Sequence, residues 1–450
     1  MKVDANRRHP VLFGMGQSSS KQLLKAVQEN KLSEINMDGY AASEKKVRKL
    51  STALQSNSTV QQLSLQSCGI TATGVQQLAY ALCNTAITCN IRTLNLSGNA
   101  NIGVAGATII AEILEGNRVL EHLQLNNCEL GDDGIEPIAR ALCRNRTLLN
   151  LELGTNSLTN VSAQYLADVL QTNFRLKGLS LWQNEITGSG AQTLAEGLQA
   201  NKSLLWLGLG SNQIGAEGAW ALAASLRTNS SLLWLGLGGN ELGDKGALHL
   251  AGLLQGNQCG LQSIGLGGND IHDEGAIHLA KALMTNTQLR SLGLGGNQIG
   301  DEGGKEIAEM LKYNQTLSKL LLSSNMLGDS AVAFMADNLA INTGLELLLL
   351  ADNPFGDEGG EHLSIVLCNS NRTLKVLDIH GTSMSKEGEK AMVQNLQDYS
   401  CLTKLGSSLG AGTLPCTAGI EGTVQKQARQ RQEQKFFQQA EIQSNPAAFY

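Results

Sequence analysis

The stretch Leu232-Leu233-Trp234-Leu235-Gly236-Leu237-Gly238-Gly239-Asn240-Glu241-Leu242 decides the architecture. Leu232, Leu235 and Leu237 describe a short strand with one buried face, since alternate strand residues share a side. Asn240 stands where the chain must bend, and its amide can pair backbone groups that the bend leaves open. Asp244 follows, placed to cap a helix N-terminus and favour its dipole. From Ala247 to Leu254 the apolar residues fall at helical spacing, and Asn257 ends the helix.

This unit, L-x-x-L-x-L-x-x-N-x-I/L, recurs thirteen times, nearly always 28 residues apart. Its asparagine step falls at Tyr40, Cys68, Asn99, Cys128, Asn156, Asn184, Asn212, Asn240, Asn269, Asn297, Asn325, Asn353 and Thr382. A fixed period of this size means a solenoid, and the pattern is that of leucine-rich repeats. Parallel strands then line one side and helices the other. A helix is about 10 Å wide and a strand about 4.8 Å, so the stack bends into a horseshoe with a concave β-sheet and convex α-helices. The expected class is an α/β leucine-rich-repeat solenoid. Its organisation reads as a flexible segment over 1–19, a capped array over 20–410, and a linker with a weakly helical tail over 411–450. The tail carries Phe436-Phe437, and the step from Cys68 to Asn99 is lengthened around Asn84–Asn90.

Composition narrows the partners. Hydrophobic residues make up 42% and charged residues 16%, enough for a core. The net charge of −6 is mild and argues against nucleic acid, which favours a basic face. No apolar run reaches the roughly 18 residues needed to span a membrane, and no signal-peptide core is present. The chain therefore reads as soluble and cytosolic. Its nine cysteines include no C-x-x-C, and several sit in repeat register, as buried thiols of a reducing compartment would. Sequons at Asn57, Asn145, Asn201, Asn229, Asn314 and Asn371 share one repeat position, so the repeat generates them.

Gly293-Leu-Gly-Gly-Asn-Gln-Ile-Gly-Asp-Glu-Gly-Gly304, followed by Ile307-Ala-Glu-Met-Leu-Lys-Tyr-Asn314, resembles the ribonuclease-inhibitor-type leucine-rich repeat. Similar repeats belong to NOD-like receptors and Ran GTPase-activating proteins. The resemblance covers most of the chain and implies the fold; the relatives it names do unrelated things. NOD-like receptors add a nucleotide-binding domain, but no G-x-x-x-x-G-K-[ST] occurs here. Ribonuclease inhibitors present an acidic concave face, whereas the acids here are few: Glu34, Asp38, Glu152 and Asp378. The acidic C-terminal segment of Ran GTPase activators is missing from 411–450.

Three patterns imitate active sites. Gly406–Gly410 fits G-x-S-x-G, but it lacks the strand-then-helix setting of a nucleophile elbow. His249, His278 and His362 share a helix step, yet neighbouring helices about 10 Å apart hold imidazoles too far apart to share a zinc at ~2.0–2.1 Å. Gly-Leu-Gly-Gly-Asn leads into a turn and lacks dinucleotide-loop spacing. No constellation supports catalysis, a metal or a cofactor.

Positions alternating with the buried leucines face the concavity, and they fall into zones. Early repeats are polar: Gln62, Ser64 and Gln66, then His122, Gln124 and Asn126, then Asn150 and Glu152. The middle turns to Gly178, Ser180, Trp182, Trp206, Gly208, Gly210, Trp234, Gly236, Gly238, Gly265 and Gly267, and the late repeats to Leu321, Leu347, Leu349 and Val376. Glycine disfavours strands, so either close approach of another group or recent duplication of Leu-Leu-Trp-Leu-Gly-Leu-Gly accounts for it. Contiguous tryptophans suit a binding hot spot. The expected binding residues are Trp182, Trp206, Gly208, Gly210, Trp234, Gly236, Gly238, Gly265, Gly267, Leu321, Leu347 and Leu349. The expected function is a non-catalytic protein-binding scaffold or adaptor. A regulator of a small GTPase and an innate-sensor-like ligand receptor are the alternatives.

Overall fold

The computed structural model describes residues 17–83, 89–257, 259–396 and 401–406. The leading residues 1–16, the tail from 407 with Phe436-Phe437, all of Gly406–Gly410 but its first residue, and 84–88 of the lengthened loop lie outside the described residues. Helix Gln17–Gln28 begins three residues ahead of the boundary expected at 20.

The chain forms two compact units, Met1–Gly208 and Leu209–Tyr450. The first holds β1 (Glu34–Asn36), β2 (Gln62–Ser64), β3 (Thr93–Asn95), β4 (His122–Gln124), β5 (Asn150–Glu152), β6 (Gly178–Ser180) and β7 (Trp206–Gly208). Each pairs in parallel with the next, one repeat step against the same step. The second holds β8 (Trp234–Gly236), β9 (Ser263–Gly265), β10 (Ser291–Gly293), β11 (Lys319–Leu321), β12 (Leu347–Leu349), β13 (Val376–Asp378) and β14 (Lys404–Gly406), again parallel in chain order. A helix of 11 to 14 residues separates each strand from the next. This is the α/β leucine-rich-repeat solenoid expected, and β14 is the degenerate last unit around Leu405.

The central residue of every strand, from Ile35 to Leu405, is 3% exposed or less. Each such aliphatic side chain contributes roughly 1.5–3 kcal/mol on burial. Lateral stacking of these residues is what a single repeat cannot achieve alone.

Buried asparagines close the turns. Asn269 Oδ1 accepts from the Asn240 amide at 2.8 Å and the Leu242 amide at 3.4 Å, one repeat back. Its Nδ2 donates to Leu237 O at 2.9 Å and Gly267 O at 3.2 Å. In the first unit Asn156 Oδ1 serves the Cys128 amide, and Asn156 Nδ2 reaches Leu125 O at 2.8 Å. Cys68 and Cys128 keep a reduced version of the role: their Sγ atoms donate to Met37 O at 3.0 Å and Leu96 O at 3.3 Å. Burial pushes these thiols up to about 11 and about 12. The residue before each asparagine turns left-handed, as Gly239 (φ 66) and Gly296 (φ 67) do, and Thr155 and Ser211 accept the same bend.

A second set of asparagines ties the helix ends. Asn57, Asn145, Asn201, Asn229, Asn314 and Asn371, the sequon residues, are 0–3% exposed. Asn145 Nδ2 donates to Leu114 O at 2.7 Å, and its Oδ1 accepts from the Thr147 and Leu148 amides. Asn314 does the same with Leu283 O, Thr316 and Leu317. The buried bonds that this repeat position makes account for the motif.

The aspartates after the turn cap a helix, but not the one they begin. Asp244 Oδ1 accepts from the His272 amide at 2.8 Å and the Gly275 amide at 2.9 Å, at the start of the following helix. Asp273 and Asp329 repeat this with Gly300 and Gly303, and with Gly356 and Gly359. The expected cap thus becomes a link between repeats, because stacking brings each helix start beside the next. At Asp132 burial alone raises the carboxyl, but bonds from Ser162 and Thr159 outweigh it and hold it below its ordinary value.

Two outcomes follow. Asn269→Ala strips partners from buried backbone amides, at about 1–3 kcal/mol for each group left unpaired. Asn338→Ala loses one bond, to Phe334 O within its own helix, and costs under about 1 kcal/mol. Urea unfolding separates them, and equal midpoints contradict the ladder. A depressed carboxyl stabilises the fold above its unfolded pKa of about 3.9 and stops doing so as pH falls through the folded value. Asp132→Asn therefore lowers the thermal midpoint at neutral pH, and the gap to wild type closes in acid below that range. A gap independent of pH contradicts the charged link.

Candidate functional site

From β1 to β5 the strand face opposite the buried leucines is built from amides, hydroxyls, carboxylates and the His122 imidazole. None of the strands β1 to β7 places Lys or Arg at its outward steps. Asp38 accepts from Ser64 Oγ and from the Gln66 amide at 3.0 Å. Asn95 Nδ2 donates to Gln66 Oε1 at 3.2 Å. The network is densest at Glu152, whose two oxygens accept from Gln124 Nε2 at 2.8 Å and Asn126 Nδ2 at 2.9 Å. Asn126 Oδ1 accepts from the Gly154 amide at 2.7 Å. A backbone N–H can only donate, so this bond settles which way the Asn126 amide points. Beside them Asn150 Nδ2 lies 2.7 Å from His122 Nδ1.

The glycines receive the tryptophans. A Cβ on Gly154 would lie 2.2 Å from Trp182 Nε1, and one on Gly178 would lie 1.9 Å from Trp206 Cε2. Each ring lies flat over a glycine one repeat earlier, where parallel register sets the two steps side by side. Trp182 and Trp206 are accordingly half-buried, rather than standing out as contiguous exposed aromatics. Gly208, in the same unit, is buried.

The remaining candidates belong to the second unit. The half-buried Trp234 ring lies along its own strand over Gly236, where a Cβ would meet the ring at 2.4 Å. A Cβ on Gly210 would stand 3.3 Å from Gly238 O, and both glycines are partly buried. Gly265 and Gly267 are buried. Leu321, Leu347 and Leu349 are 1–3% exposed and form one cluster with Val376. Register explains their meeting: Leu321 pairs with Leu349, and Leu347 with Val376. Burial pushes the neighbouring Lys319 ammonium below its ordinary value, against the opposing pull of Glu346. Asp378, 8% exposed, lies 2.7 Å from His380 Nδ1.

Some surface features went unread in the sequence. Trp220 is 56% exposed on helix Gly215–Leu226, and Leu248 is 45% exposed at the same step of helix Gly243–Leu254. Most other repeats hold a polar residue there, such as Gln76, Glu136 or Glu361, so superposing the repeats reveals the change. His249, His278 and His362 are partly buried, and His362 Nε2 lies 2.7 Å from Asp337 Oδ1. Among the described residues no cluster of three or more His, Cys, Asp or Glu could hold a metal ion. No described helix is long and apolar enough to cross a membrane.

A family model described as Leucine Rich repeat matches residues 56–79, 89–111, 116–139, 200–223, 259–280 and 285–308. No curated protein matches the chain in sequence. Among solved structures, a chain of the Rad7–Elc1 complex from yeast is 18% identical, with 90% of this chain and 93% of that one covered and a TM-score of 0.52. An internalin from Listeria monocytogenes is 19% identical over 87% of this chain and 93% of its own, with a TM-score of 0.48. With its repeats matched and its strands and helices in that order, the chain is a leucine-rich repeat protein.

The glycine platforms yield a direct outcome. Gly178→Ala displaces the Trp206 ring, so indole emission shifts to longer wavelength and the thermal midpoint falls. Gly252→Ala, on a helix where the added carbon meets only Arg227 Nη2 at 3.5 Å, leaves emission unchanged. Identical spectra for both variants contradict the platform.

Proposed function

We propose that the protein is a non-catalytic protein-binding scaffold of ribonuclease-inhibitor repeat type, working in the cytosol through the strand face of its repeats. The observation that carries this reading is the laying of Trp182 and Trp206 on glycine platforms. A ring already held against glycine loses little conformational freedom on binding, which suits a hot spot. Burying a Trp removes about 150–250 Å² from water, and about 25 cal/mol per Å² gives several kcal/mol before association costs. The partner is an extended or helical segment lying along the strand face, anchored on Trp182 and Trp206 in the first unit, while Trp234 offers a half-buried ring of the same kind in the second. The yeast neighbour was solved as Rad7 together with Elc1, in keeping with a repeat protein that engages another protein.

The test uses the full chain as bait in cytosolic extract, with and without nucleotide-loaded small GTPases, followed by dissociation constants for each recovered partner. Trp206→Ala and Trp234→Ala each weaken binding at least about tenfold, near 1.4 kcal/mol, with circular dichroism unchanged. If both variants bind every partner as wild type does, the strand face is not the site. Recovery only with loaded GTPases makes the protein a GTPase regulator instead.

A further inference from the structure

Resting on that reading, we propose that Glu152 and Trp182 form a seat for one arginine side chain of the partner segment. Glu152 is partly buried, and its oxygens are aimed by Gln124 and Asn126. Both are neutral donors, and among the described residues Glu152 has no ion pair. A carboxylate accepts about four hydrogen bonds, so the pair of amides leaves half its capacity for a ligand. Asn126 also binds the Gly154 amide, and Gly154 carries the Trp182 ring. Glu152 and Gly154 share a strand face two residues apart, about 6.6 Å along the chain. The oriented carboxylate and the half-buried indole are therefore neighbours in one patch.

That pairing fits a guanidinium better than other side chains. Its planar fork can bond a carboxylate with two N–H groups while its face stacks on an indole. Lysine can pair with Glu152 but offers no flat face to the ring. Glutamine or serine would add little to a carboxylate already served by two amides. The absence of Lys and Arg from the outward steps of β1 to β7 leaves no ammonium or guanidinium on those strands to repel the cation or take its place. The occupant is thus an arginine-bearing polar segment, chosen by charge complementarity.

The probe is a fluorescent peptide of Gln and Ser carrying arginine, compared with the same peptide carrying citrulline, which keeps shape and loses charge. Wild type binds the arginine form at least about tenfold tighter. Glu152→Gln abolishes that preference with the thermal midpoint monitored, while Glu34→Gln retains it. Trp182→Ala weakens both peptides. The proposal is overturned if the wild-type chain shows no preference for arginine, if Glu152→Gln keeps it, or if Glu34→Gln removes it equally. In those cases Trp206→Ala still weakening the recovered protein partners leaves the scaffold reading intact. If the tryptophan variants leave partner binding unchanged, the scaffold reading fails as well.

Discussion

Everything in this protein depends on a side-chain amide standing in for backbone. Each repeat must turn sharply between strand and helix, and the turn leaves N–H and C=O groups in the interior with no strand or helix to pair them. Asn240 and Asn269 supply both a donor and acceptors, and they do so across the repeat boundary. Asn145 and Asn314 repeat the solution where helix returns to strand. Within each unit, repeats that carry these asparagines are thereby bonded to their neighbours at both corners, which suits a fold whose stability is a sum of neighbour terms.

That bonding scheme frees the strand face from structural duty. The core takes the central leucine of each strand, and the asparagines and aspartates hold the corners, so the outward steps can change from repeat to repeat. They become amide-rich with one oriented carboxylate in β4 and β5, glycine with tryptophan in β6 and β7, and aliphatic in β11 and β12. Variation along this face is what the proposed binding role draws on.

Much of this was legible beforehand. The 28-residue step located each strand and the asparagines at the turns. What spacing could not show was which repeat a side chain serves. Asp244 precedes one helix yet caps the next, since the amides of His272 and Gly275 come to it only on stacking. Gly178 and Trp206 were both assigned to the open face, but that the ring lies on the glycine depends on a rotamer. The leucines expected as open floor are buried together, because parallel register makes them neighbours. Trp220 lies on a helix step, which the leucine and asparagine pattern of strand and turn does not mark.

The central claim is that partners engage the strand face, and tryptophan footprinting tests it most directly. The chain is exposed to a brief pulse of hydroxyl radicals, alone and bound to a captured partner, and oxidation is measured at each indole. Protection of Trp182 and Trp206, with the exposed helix residue Trp220 unchanged, is the predicted result. Protection of Trp220 with Trp182 and Trp206 unchanged would place the interface on the helices and contradict the account.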